Sequence, residues 1–289
     1  MTVSARALAA GHGGRPRGPA AIRRPAAADA GLIFLIVLTT ATAAAPLLGR
    51  YDPTAMNKNA VLALPSWLHL LGTDQFGRDI LSRVLYGGRI ALAVGIGATA
   101  IAALCGVPLG LWTGFRGGVA DAAVMRAVDT LLAIPAVLLA MALVAAIGPG
   151  SVNAGVAIAI VGLPQFARIA RAGVLTQRRM EYVEASVASG ARDARIVFRT
   201  ILPNILSPVF VQIPIGVARA ILLEASLSFL GLGTQPPQAS WGLMISESRE
   251  YLYAAPWYGI VPGAAIALTV LALNHVADRA RRWWRTERS

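Results

Sequence analysis

Six apolar stretches, each at or near the length that a helix needs to cross a bilayer, constrain this chain more than any other feature. They run from about Gly31 to Leu48, Ile90 to Phe115, Val128 to Ile147, Val152 to Ile169, Ile205 to Leu230 and Trp257 to Ala277. A spanning helix takes about 20 apolar residues. With no water inside the bilayer, a lone apolar run must satisfy its own backbone, and an α-helix does so. The sequence therefore predicts an all-α integral membrane protein with six spans. In the fourth run Pro164 interrupts the pattern and Arg168 and Arg171 follow at once, so that span is the weakest of the six. Ala43-Ala44-Ala45 has the small side chains of a signal-peptide cleavage site, but the long leader and Pro46 favour an uncleaved first helix.

Charge supplies the orientation. The 289 residues carry 26 Lys+Arg against 14 Asp+Glu, a net charge of +12. In a soluble chain that balance would suggest nucleic acid. With 56% hydrophobic and only 14% charged residues, it records topology instead. A cytoplasmic N-terminus puts 19 of the basic residues on inside segments, 6 on outside segments and Arg219 within a span. Both termini are thereby expected in the cytoplasm. Residues 1–28, rich in Ala, Gly, Pro and Arg, read as a loose cytoplasmic tail. Residues 29–86 hold the first span and an external segment, 87–278 a transmembrane core, and 279–289 a basic cytoplasmic tail.

Several chemistries are excluded at this stage. Cys105 is the single cysteine, so no intrachain disulfide or cysteine metal cluster is available. His12, His69 and His275 are far apart in sequence, and no metal site is expected. Lys58, the only lysine, sits in Asn57-Lys58-Asn59 rather than behind a glycine-rich loop. Without a Walker A lysine the chain does not hydrolyse nucleotide through a P-loop of its own.

The polar stretch from about Arg168 to Pro203 falls on the cytoplasmic side and reads as helix, short turn, helix. Glu184, Ala185 and Ser186 lead through small residues to Gly190, and Ile201-Leu202-Pro203 follows. A short helix of small residues ending at glycine is a low knob that a groove on another protein can accept; an ordinary solvated loop is the plainer reading. These residues resemble the EAA loop of permease subunits of binding-protein-dependent ABC importers, here spanning about residues 172–204. Two further stretches resemble the C subunits of dipeptide/oligopeptide permeases. One is Gly72-Thr73-Asp74 with Gly77-Arg78-Asp79. The other runs from Glu224 through Gly231 and Gln235-Pro236-Pro237 to Trp241-Gly242.

The resemblance covers about residues 31–278 and implies the six-helix type I ABC importer transmembrane domain in a bacterial inner membrane. It implies a heterodimer with a homologous second permease, two ATPase domains holding ATP and Mg, and an external binding protein that delivers di- or oligopeptides. Glu184, Ala185, Ser186, Gly190, Ile201, Leu202 and Pro203 would couple to the ATPase. No cofactor belongs to the chain itself, and lipid rather than nucleic acid surrounds it. Nickel, glutathione or opine permeases look alike at this level. The chain departs from the family after Asn274, where Ala277-Asp278 is followed by Arg279-Ala280-Arg281-Arg282.

Arg219 and Glu224 are charges within the fifth run. Five residues apart, they are separated by about 140° around a helix and are poor partners. Each is expected to face a wet pathway or a neighbouring helix. A proton- or ion-coupled secondary transporter is the rival from another class. It would be expected to carry embedded acids, of which Glu224 alone lies well inside a span.

Overall fold

The structure, a computed structural model, describes residues 26–286. The predicted tail therefore lies outside the described residues as far as residue 25, and Ala26 already begins a helix. Eleven α-helices follow one another among the described residues: α1 Ala26–Ala43, α2 Ala45–Leu48, α3 Ile80–Arg116, α4 Gly118–Ala133, α5 Ala136–Ile147, α6 Ser151–Gln177, α7 Glu181–Ala188, α8 Asp193–Arg195, α9 Leu202–Phe229, α10 Trp241–Ser248 and α11 Pro256–Thr286. A π-helical segment, Ile196–Ile201, joins α8 to α9.

The apolar runs fall within these helices, with three corrections. The first run is not one helix to Leu48: α1 ends at Ala43, and a turn at Ala44 separates it from the four-residue α2. The third run is not one straight helix. It breaks between α4 and α5, whose axes are bent by 97°. Pro135 lacks an N–H and forces Ile134 into an extended conformation (φ −85°, ψ 131°), which ends α4. In the fourth run the opposite holds: Pro164 is buried inside an uninterrupted α6. There a neighbouring helix holds the backbone in place, since a Cβ on Gly106 of α3 would lie 2.7 Å from the carbonyl oxygen of Leu163.

That close approach is part of a seam running the length of α3 and α6. Ala98, Ala102, Gly106, Gly110 and Gly114 are buried in it or beside it. At Gly110 a Cβ would come within 2.8 Å of the Ala170 side chain, and at Gly114 within 3.0 Å of Val174. Among apolar helices in lipid, small residues permit the backbone proximity from which packing energy comes. Gly95 faces α9, where a Cβ would meet Ile221 at 2.8 Å; Gly97 lies off the seam, with nothing within 4 Å of its Cβ position. α9 packs on α3, α6, α10 and α11, and α1 on α11. Large side chains such as Leu104 and Val152 point outward, 74% and 76% exposed. The basic segment after Asp278 continues the last helix as far as Thr286.

Candidate coupling and translocation sites

The loop between α6 and α9 builds a short projecting helix. α7 starts after Met180 and ends in a Schellman cap. Ser189 terminates it, Gly190 takes φ +74°, the Gly190 N–H donates to the Val187 carbonyl (2.9 Å), and the Ala191 N–H to the Ser186 carbonyl (3.2 Å). Glycine suits this position because a Cβ makes the left-handed conformation costly. Val183 anchors the helix in an apolar cluster with Ile196, Ile201 and Ile205. Glu184, Ala185 and Gly190 are exposed, and Ser186 is half-buried. Ile201 is fully buried, Leu202 partly so, and Pro203 is exposed at the first turn of α9. The π turn ahead of Pro203 accommodates the missing N–H and the ring, which would otherwise collide with the carbonyl four residues earlier. Arg178 donates to the carbonyls of Gly114 (3.3 Å) and Phe115 (2.8 Å), tying the end of α3 to this loop. The Arg171 guanidinium makes two 2.6 Å bonds to Asp121, fastening α4 to α6.

At the other end of α9 the same cap recurs. Gly231 takes φ +79°, its N–H donates to the Ser228 carbonyl (3.1 Å), and the Leu232 N–H to the Leu227 carbonyl (2.8 Å). The turn carries the chain over Thr234 to Gln235, Pro236 and Pro237, which are exposed. Ser240 then N-caps α10 through the Leu243 N–H (3.2 Å). Trp241 is completely buried, its Nε1 donating to the Val84 carbonyl (2.9 Å), and Gly242 lies against the backbone of Ala225, where no side chain fits.

The Gly72–Asp79 motif folds back on this region. Gly72 and Gly77 have φ of +76° and +71°, and the Thr73 hydroxyl donates to the Ala60 carbonyl. The Asp79 carboxylate caps α3 through the Ser82 N–H (2.8 Å) and meets His69 Nδ1 at 2.9 Å. Asp74 accepts from the N–H groups of Phe76 and Arg78 (both 2.9 Å) and from Arg78 Nε (2.5 Å). The Glu247 carboxylate on α10 accepts from Arg78 (3.1 Å), Arg83 (2.9 Å) and the Tyr258 hydroxyl (2.7 Å). Two acids thus balance two buried guanidiniums. Sequence reasoning singled out Asp74 and Arg78 but missed Glu247 and Tyr258, which are separated from them by more than 150 residues and carry no local pattern.

Glu224 and Arg219 part company, as their spacing requires. Glu224 is completely buried, its Oε1 accepting from Ser228 (2.7 Å) and Thr234 (3.3 Å). Arg219 is exposed and lines a cavity of about 340 Å³ at the break between α4 and α5, together with Thr99, Gln165 and Gln212. The three neutral residues gave no signal in the sequence, because single polar side chains in long apolar helices have no periodicity to mark them.

A family model described as the inner membrane component of binding-protein-dependent transport systems matches residues 106–285. The chain belongs to that family. A di/tripeptide transport system permease protein of Pseudomonas aeruginosa is 42% identical to this permease over 87% of this chain and 85% of its own length. A dipeptide transport permease of Alkalihalophilus pseudofirmus is 43% identical, covering 87% and 83%. A glutathione transport permease of Pectobacterium atrosepticum is 41% identical, covering 90% and 86%. In fold, the permease matches a solved inward-facing structure of the MetNI methionine ABC transporter with a TM-score of 0.60 at 19% identity, over 70% of this chain and 97% of that one. The type I ABC importer architecture expected from the sequence is thereby shown. The chain is a multi-pass membrane protein, and the secondary-transporter alternative is not favoured.

Proposed function

We propose that this permease pairs with a homologous second permease to enclose a pathway for short peptides, which an external binding protein delivers and two partner ATPase domains drive through. The relatives named for di- and tripeptide and for glutathione transport support a short peptide as cargo. The arginine asymmetry supports a cytoplasmic side for both termini and for α7 with them. ATP and Mg then act on the partner subunits, and this chain converts the movement of its docking helix into a shift of packed spans.

The observation that carries the reading is the build of α7: a helix anchored from below by Val183, locked at its end by a Schellman cap, and presenting Glu184 and Ala185 outward. Anchoring and capping a short helix makes it a rigid lever rather than a solvated loop. Ala185→Trp is the decisive variant, because residue 185 is exposed on a regular helix and the new ring disturbs nothing inside the chain. In a reconstituted importer it should abolish stimulated ATP hydrolysis and uptake while the second permease still co-purifies. Normal uptake with Ala185→Trp would sink the coupling assignment. Gly190→Trp should have the same effect but is less clean, since the side chain also strains a left-handed residue.

A further inference from the structure

The cavity at the broken third span gathers polarity where lipid-embedded helices have little reason to carry it. Thr99, Gln165, Gln212 and Arg219 come from three helices, α3, α6 and α9, and each of the four lies well inside its helix. Thr99 is 4% exposed, and its Oγ1 is buried without a hydrogen-bond partner. Gln212 is 8% exposed. Among the described residues, the side chains of Gln212 and Arg219 make no hydrogen bond or ion pair within the chain. A cation well inside a span is costly unless something answers it, and nothing among the described residues does.

The break adds backbone groups to the same cavity. The first hydrogen bond of α5 runs from the Leu139 N–H to the Pro135 carbonyl (3.0 Å), so the amides of Ala136, Val137 and Leu138 have no helical acceptor. Pro135 and Ala136 line the cavity. A helix start bearing free N–H groups favours an anion, and here it shares its cavity with an arginine. The rest of the lining is largely apolar, including Ile158 and Leu223. At about 340 Å³ the space suits a carboxylate with one side chain behind it and excludes a long chain.

We infer that this cavity is a subsite for the free C-terminal carboxylate of a short peptide in transit. Arg219 pairs with the carboxylate, Thr99 and the two glutamines hydrogen-bond the last peptide unit, and the apolar wall takes the last side chain. The inference rests on the peptide-import reading above.

The test uses the complete importer in proteoliposomes, with a loaded binding protein and the dipeptide alanyl-photoleucine, whose diazirine sits in the C-terminal side chain. Illumination during ATP-driven uptake, followed by mass spectrometry, should place the label on residues 131–136 or on Leu223. Arg219→Gln should lower that labelling by about tenfold or more, as expected for a lost hydrogen bond to a charged group, whereas Arg219→Lys should keep most of it. Co-purification of the second permease should be unchanged in both variants. Label confined to other sites, or unchanged by Arg219→Gln, overturns the subsite. Loss of the second permease on Arg219→Gln would assign Arg219 to an acid across the permease interface and overturn it as well. If the unaltered importer takes up no dipeptide, the peptide-import reading itself falls and the subsite falls with it.

Discussion

Glu247 shows how much a single side chain can hold in this protein. Its carboxylate receives Arg78, Arg83 and Tyr258, and so ties the segment before α3 to α10 and α11. Both arginines are at most 2% exposed. Glu247→Ala leaves two guanidiniums buried with Asp74 as their remaining partner, which should destabilise the chain by about 3–5 kcal/mol. Glu247→Gln keeps an acceptor oxygen and should cost less. Thermal unfolding of the detergent-solubilised importer reads the difference; equal midpoints for Glu247→Ala and the unaltered protein would show the cluster to be dispensable. Arg219 and Glu224 make the contrasting case. One faces the cavity, while the other bonds Ser228 and Thr234. A double-mutant cycle on uptake with Arg219→Ala and Glu224→Gln should give a coupling energy within about 0.5 kcal/mol of zero. A coupling of about 1 kcal/mol or more would mean that they communicate through shared partners.

At the scale of elements, the α3–α6 seam separates glycines that touch from glycines that do not. Gly110 and Gly97 sit on the same helix, yet a Cβ at Gly110 would be forced against Ala170, and one at Gly97 would meet nothing within 4 Å. Gly110→Leu should therefore prevent α3 and α6 from closing and remove the monodisperse peak in size-exclusion chromatography. Gly97→Leu should leave that peak in place. Similar behaviour of the two variants would show that the seam does not decide folding. The two prolines teach the same lesson in reverse. Pro164 has a packed neighbour pressing on its helix and does not break it, whereas Pro135 and its neighbour Ile134 are exposed and the chain turns by 97°.

Across the whole molecule the two motif-bearing regions lie at opposite ends of α9, one before Leu202 and one after Phe229. A bilayer between them puts the α7 end and the Gln235–Pro237 end on different sides. In a Cys105→Ala background, single cysteines at Ser66 and Gln238 should react with an impermeant thiol reagent in intact cells, and one at Ser189 should not. All three positions are exposed. Ser240, close by in sequence, would be a poor reporter because it is completely buried as the cap of α10. Labelling of Ser189 from outside would invert the proposed orientation.

What the sequence determined by itself was whatever depends on composition over a window or on neighbours along the chain. The apolar runs specify helices because a bilayer leaves the backbone no other partner, and the spacing of Arg219 and Glu224 already forbids their pairing. Gly190 was legible as a helix end because a left-handed cap is a local event. Only the tertiary structure decided what depends on contact between distant segments. Glu247 became the counter-charge of Arg78 and Arg83, and Pro164 was absorbed while Pro135 broke its span. Thr99, Gln165 and Gln212 came to share one cavity with Arg219. Partners brought together across a packed interface leave no periodic trace along the chain, and packing outweighs a proline's local preference wherever a neighbouring helix fixes the backbone.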